Sequence, residues 1–341
     1  MLQRIKADRW LLLATLALLL LPLPKLLATH GLLPEAAGAW PPTHYLQRGT
    51  EVFIWAIFAL SYDLLIGYTG IVSFGHSLFL ALGAYSIATG VMKLGLAFPV
   101  AILTGLVASA VIAAVVGLLS LRLKGHGFAM ITLAFAEVGH VLALKLSDYT
   151  GGEDGLSVRV PLWLANRTND YFIGLLLLIA AFLLVRRITQ SPFGRVLEAI
   201  RENENRAMAL GYNVTAYKVG AMTMAGVMGG AAGVAMAIID TRFAISSLST
   251  AGPTIEVMLM TILGGAGTLI GPVLGAAAVR LLAYLLPGLT DISPLFQRWQ
   301  LILGLIYIGT VMFLPYGIVG TYRLRLKRSL ERILTPAKKA A

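Results

Sequence analysis

The sequence predicts an all-α fold, a polytopic membrane protein of about eight to ten transmembrane segments with both termini cytoplasmic. Three observations predict it. Of the 341 residues, 58% are hydrophobic and only 13% charged, against about 45–50% and about 25% in soluble domains. The mean hydropathy is +0.82. The apolar residues also fall into runs of about 20, the length that crosses a bilayer as a helix. The chain contains no cysteine, which excludes a disulfide-stapled scaffold, a thiolate nucleophile and a cysteine metal cluster. The formal net charge of +11 matters in a membrane protein chiefly through where the cations sit.

The elements follow in order. The first span begins at Trp10, after Arg4, Lys6 and Arg9, and runs through LLLATLALLLLPLP. A basic stretch before an apolar run also opens a cleaved signal peptide, but Lys25 and the apolar stretch after it fit an uncleaved anchor. Further spans read at 50–67, 70–92, 96–120, 127–146, 171–185, 217–240, 254–266, 267–287 and 299–319. The pairs that meet around Gly67–Gly70 and Gly264–Gly267 read either as separate crossings or as broken helices. With ten crossings and the N-terminus inside, the inner segments collect eighteen of the 27 Lys and Arg. These are the three before Trp10, Arg122 with Lys124, six between Arg186 and Lys218, and seven from Arg323 onward. That bias is the signature of cytoplasmic loops. The chain is expected to form one membrane domain over 1–341, with outer loops at 29–49 and 147–169. On the inner side it has a loop at 186–217 and a basic tail at 321–341.

The inner loop is the most structured soluble feature. Ser191-Pro192 reads as an N-cap followed by proline at N1, and Gly211 sits where a C′ glycine belongs. A single helix is therefore expected over 192–210. Its apolar stripe holds Phe193, Val196, Leu197, Ile200, Ala207 and Met208, interrupted by Glu204. The opposite face carries Arg195, Glu198, Glu202, Asn205 and Arg206. Such a helix either lies on the membrane surface or docks a cytoplasmic partner, and three acids among the bases favour a protein.

Two further signals lie inside the spans. Of the 36 glycines, nine stand at close intervals inside apolar sequence in GYTGIVSFGHSLFLALGAY from Gly67 and in GGAGTLIGPVLGA from Gly264. Gly226/Gly230, Gly229/Gly233 and Gly271/Gly275 are small-xxx-small pairs of the packing kind. The two long runs, one of which contains Pro272, suit either close packing or an unwound backbone that lines a route. Ionisable groups at membrane depth are costly and therefore informative. Asp63, His76, Glu137, His140, Glu256 and Arg280 fall there. They either pair within the protein or face water, and Asp63 and Glu137 suit the route of a polar solute. Glu137 and His140 form a single Glu-x-x-His, whereas a di-metal carboxylate site needs two copies and two more glutamates, so no metal is expected. Sequence signatures of a P-loop, a zinc protease and a nucleophile elbow are all missing. No enzymatic activity is expected, and any ATP hydrolysis would belong to another polypeptide.

Five blocks in order, GYTGIVSFGHSLFLALGAY, RLKGHGFAMITLAFAE, TGGEDGLS, SPFGRVLEAIRENENRAMALGYN and GGAGTLIGPVLGA, resemble the branched-chain amino acid ABC transporter permeases, most closely the LivM type. The resemblance spans residues 67 to 276. It implies a permease subunit of an ATP-driven importer in the inner (cytoplasmic) membrane, without a cofactor. The partners implied are a paralogous permease, two cytoplasmic ATPases and an external substrate-binding protein. Ser191 to Gly211 matches the family's coupling segment, so Ser191, Arg195, Glu198, Arg201, Glu202 and Arg206 are the residues expected to meet an ATPase. Thr150, Gly151, Gly152 and Gly155 match the family's TGG-x-x-G loop. Asp63, Glu137, Gly267 and Gly271 are the candidates for the translocation path or its gate. Urea and short-chain amide permeases share these blocks, and an ion-coupled secondary carrier is the rival from another class.

Overall fold

The computed structural model describes residues 43–123, 125–156, 158, 166–239, 250–287, 298–314 and 316–322, together with Leu18 and Pro22. The first span and nearly all of the basic tail therefore lie outside the described residues. Twelve α-helices are described. The membrane-length ones are α1 (Thr43–Asp63), α3 (Phe98–Ser120), α4 (His126–Lys145), α6 (Arg167–Gln190) and α9 (Val214–Ile239). Shorter apolar ones are α2 (Ser77–Met92), α10 (Gly252–Gly264), α11 (Ile270–Leu285) and α12 (Trp299–Phe313). The remaining three are short polar helices: α5 (Ser147–Thr150), α7 (Pro192–Glu202) and α8 (Glu204–Ala209).

Six helical stretches are long and apolar enough to cross a membrane when α1 is taken with its extension to Thr69 and α12 with its continuation to Tyr322. The protein is a multi-pass membrane protein. Three of the expected spans, α2, α10 and α11, are shorter than the others. At about 1.5 Å per residue their 16, 13 and 16 residues reach roughly 20–24 Å, short of the roughly 30 Å hydrocarbon core. Each is shortened at a glycine-rich break, and the non-helical backbone at these breaks lies inside protein, where its polar groups find partners. Between Gly70 and Ser77, for example, the Phe74 N–H donates to Thr132 Oγ1 on α4 and the Ser77 N–H to Thr254 Oγ1 on α10. Tyr62 donates its hydroxyl to the Ser73 carbonyl, and His76 pairs with Ser61 while stacking on Phe58.

The helices sort into a hidden centre and an apolar rim. α1 packs on α6, α9, α10 and α11, and residues from Phe53 to Leu65 are buried without interruption. α9 packs on α2 and α3 through its small face. A Cβ on Gly83 would meet the Gly230 carbonyl, one on Gly233 the Leu80 carbonyl, and one on Gly226 the Ala113 methyl. The small-xxx-small pairs therefore serve close backbone approach, where van der Waals contact replaces the missing hydrophobic drive between helices in lipid. The rim exposes Leu103, Val107 and Val111 on α3, Val138 and Leu142 on α4, Leu176 and Leu183 on α6, and Leu305 and Met312 on α12.

The loop boundaries also shift from those expected. α1 begins at Thr43, so Arg48 lies on a helix rather than in the outer loop. α6 runs to Gln190 and α9 starts at Val214, which trims the inner loop from both sides. The single inner helix is two. Asn203 is extended (φ −161°, ψ 103°), and its side chain accepts from the Arg206 N–H as the N-cap of α8. A capping Asn competes with the helix at its own position. This break turns Met208 out of the expected stripe: it is 44% exposed. Val196, Leu197, Ile200 and Ala207 are buried as expected, and Gly211 takes the left-handed conformation (φ +88°) after α8.

Candidate functional site

Three backbone breaks meet around the buried Asp63. The first is the end of α1, which widens into a π-helix over Leu64–Thr69 and stops at Gly70 in the left-handed conformation. π-Helical turns leave extra room in the backbone and often mark functional positions. The second is the turn between α10 and α11, where Gly265, Gly267 and Leu269 all have positive φ. The third is the last turn of α7.

Asp63 joins the first two breaks. Its side chain is fully buried, and Oδ1 accepts the Gly267 N–H at 2.7 Å. Oδ2 has no hydrogen-bond partner among the described residues, and Arg201 is the cation that acts on this carboxylate. Arg201 joins the third break to the other two. Its Nη1 donates to the Gly67 carbonyl, and its aliphatic stem covers Gly70, where a Cβ would lie 3.1 Å from Arg201 Cγ. The fit admits only glycine. A Cβ on Gly267 would stand 2.9 Å from both Arg201 Nη1 and the Gly67 oxygen, and one on Gly67 would overlap Asp63 and the Gly267 nitrogen. Below the turn, Gly317 packs on Gly265. Gly271 begins α11 with its N–H on Thr268 Oγ1, and a Cβ there would strike the Gly264 and Gly265 carbonyls.

α7 is held at this place by its own sequence. The Ser191 side chain caps it by accepting from the Gly194 N–H at 3.3 Å, and Pro192 occupies N1. Gly194 sits so close to the Ile188 and Thr189 carbonyls at the end of α6 that a side chain would overlap them. Val196, Leu197 and Ile200 bury one face. Arg195, Glu198 and Glu202 on α7 and Arg206 on α8 are exposed and form no ion pair among the described residues. Glu204, which breaks the stripe, pairs with Lys218 at 2.8 Å.

The candidate residues thus divide. Asp63, Gly267 and Arg201 come together, with Gly271 a few residues along the same turn. Glu137 does not join them: it is exposed on α4. The TGG-x-x-G loop lies after α5, and its Gly151, Gly152 and Gly155 all have positive φ. Reading the sequence alone did not find the meeting of Arg201 with Gly67. The sequence signal was available in two glycine runs interrupting apolar spans, but which runs touch depends on packing.

Residues 47–313 match the family model described as "Branched-chain amino acid transport system / permease component". The chain belongs to this family. A high-affinity branched-chain amino acid transport system permease protein LivM of Salmonella typhimurium is 28% identical over 326 residues, covering 85% of this chain and 74% of that protein. The LivM protein of Escherichia coli is 27% identical with the same coverage. A probable LivM protein of Methanocaldococcus jannaschii is 26% identical over 68% of this permease and 78% of its own length. Among solved structures, PsaBC from Streptococcus pneumoniae in complex with Fab aligns with a TM-score of 0.33 at 18% identity, over 71% of this permease and 91% of that chain.

Proposed function

We propose that this permease is the transmembrane subunit of an ATP-driven ABC importer for branched-chain amino acids in the inner membrane. Both termini and the segment 186–217 face the cytoplasm. A paralogous permease completes the pathway, two ATPases bind from the cytoplasm, and an external binding protein delivers substrate. The whole chain acts as one membrane domain and carries no enzymatic activity of its own.

One observation carries the mechanism: Arg201, on the amphipathic helix α7, holds the break at Gly67 and lies against the break at Gly267. The exposed charges of Arg195, Glu198, Glu202 and Arg206, with exposed Met208, Leu210 and Tyr212 beside them, suit an ATPase groove. Charged groups arranged with an apolar patch are the recognition chemistry of a protein partner rather than of lipid alone. An ATPase that displaces α7 pulls Arg201 from the Gly67 carbonyl. The turn between α10 and α11 then loses Arg201 and keeps Asp63, and it moves relative to α1. Asp63, Gly267 and Gly271 act as the gate in this reading, and Ser191 keeps α7 aligned with α6.

Reconstitution into liposomes tests the proposal. The purified single chain should support no uptake, and ATP-dependent accumulation of leucine, isoleucine or valine should require the ATPases, the paired permease and the binding protein. Uptake by the single chain on a proton or sodium gradient would make it a carrier, and accumulation of urea or short amides in place of leucine would reassign the substrate.

A further inference from the structure

A second charged cluster lies away from the Arg201 junction, on α1, α10 and α11. Arg48 Nη1 lies 3.0 Å from Glu51 Oε2, Glu51 Oε1 lies 3.5 Å from Arg280 Nη1, and Arg280 Nη2 donates to Glu256 Oε2 at 3.1 Å. The four charges alternate in sign along one line. The Arg280 guanidinium stacks on the Trp55 ring at 3.8 Å, and Arg48 lies over Tyr284. Glu51 precedes Asp63 by 12 residues, Glu256 precedes Gly264 by eight and Arg280 follows Ile270 by ten, all leading away from the Asp63 level in the same direction. At about 1.5 Å per residue these heights are roughly 12–18 Å from the Asp63 level, within the spans and toward their outer ends.

Ions at that depth are expensive unless they face protein or water. This cluster is not sealed: the Glu256 side chain is 35% exposed, Glu51 26% and Arg280 17%. In the importer proposed above, this exposed side is the one open to a solute on the route between permeases. Nor is the cluster saturated. Arg280 Nε has no acceptor among the described residues, and the Glu51 contact is too long for a hydrogen bond. Nε and Nη2 form the side of a guanidinium that grips a carboxylate with two parallel bonds. Glu256 occupies only one of the two positions, through one oxygen.

We propose that Arg280 and Glu256 form a binding site for the main-chain charges of a zwitterionic α-amino acid in transit. The substrate carboxylate takes the Nε/Nη2 side of Arg280, and the Glu256 carboxylate so displaced takes the substrate ammonium. Each ion exchanges one partner for another, so no charge is left unpaired at membrane depth during the exchange. Glu51 and Trp55 keep the guanidinium in place. An uncharged solute such as urea or an amide offers neither charge and leaves the pair closed. This site rests on the importer reading above and gives the permease a selectivity of its own.

The test uses the assembled transporter, two permeases with their ATPases, without the binding protein. Leucine at millimolar concentration should raise its thermal midpoint, while leucinamide, which lacks the carboxylate, and the α-keto analogue, which lacks the ammonium, should not. Glu256→Gln and Arg280→Lys should raise the leucine concentration needed at least tenfold and lower leucine uptake in the complete system. Glu256→Asp, which keeps the charge, should retain part of both and serves if the other variants fail to assemble. A leucine response unchanged in Glu256→Gln or Arg280→Lys, with only the ligand-free midpoint lowered, would make the cluster a packing device and overturn the proposal. So would equal stabilisation by leucine and leucinamide, or no leucine response in the wild-type assembly. If the wild-type system with its binding protein imports no leucine at all, the importer reading itself fails, independently of either variant.

Discussion

At the scale of single residues, Asp63 has the most demanding position. It is a fully buried acid at the end of a helix, with one oxygen on a backbone amide 204 positions away. A hydrogen bond to a charged group contributes about 1.5–3 kcal/mol, and removing the acceptor leaves the Gly267 amide unpartnered. Asp63→Ala should therefore loosen the turn between α10 and α11 and lower the thermal midpoint of the purified permease. Asp63→Asn keeps an acceptor at Oδ1 and should lose less. Differential scanning fluorimetry of the two variants beside the wild type measures this order, and equal midpoints for all three would show that the bond stabilises nothing. The sequence marked Asp63 as costly because acids are rare at such depth. It could not name Gly267 as the partner, since nothing in an apolar run states which distant loop will close on it.

At the scale of elements, the inner helix shows where sequence reading succeeds and where it stops. Ser191, Pro192 and Gly211 gave the ends because capping is local chemistry, satisfied within three or four residues. Asn203 was overlooked because asparagine is tolerated in a helix and caps one only when the backbone around it permits. The resulting break divides the segment into α7, which holds Arg201 against α1, and α8, which presents Met208. Charge reversal of Arg195 and Glu198 together should uncouple ATP hydrolysis from transport or release the ATPase, with the permease still folded in the membrane. Truncating a charge pair desolvated at an interface costs about 2–5 kcal/mol, whereas a solvated face loses little. ATPase retention on affinity-purified double-reversal permease distinguishes the two, and full retention with normal transport would leave α7 as a membrane-surface helix.

At the scale of the whole molecule, the all-helical class and the positions of nine apolar helices were legible because hydropathy reports the solvent directly. Length was less legible: α2, α10 and α11 are shorter than a bilayer because glycine breaks redirect the chain where protein supplies the missing hydrogen bonds. The arrangement also fixes an orientation test. Single cysteines replacing Glu202 and Tyr149, both exposed and on opposite sides in the proposed topology, should label from opposite faces of sealed membranes. A membrane-impermeant maleimide added outside should reach Tyr149→Cys, and reach Glu202→Cys only after permeabilisation. Labelling of both from the same side would show that α6 does not cross the membrane.

The hidden position of α1 bears on how the protein is made. Its eventual neighbours α6, α9, α10 and α11 all lie later in the chain, the first of them more than 100 residues on. A ribosome adding about 5–20 residues per second needs on the order of ten seconds to deliver α6 and α9. For that interval Asp63 lacks Gly267 and Glu51 lacks Arg280, their companions from the later helices, and bare lipid is a poor host for them. The nascent chain must therefore keep α1 within the insertion machinery, or at a wet boundary beside it, until the later helices emerge. The order of synthesis, as much as the final packing, then decides whether this helix ever meets the membrane.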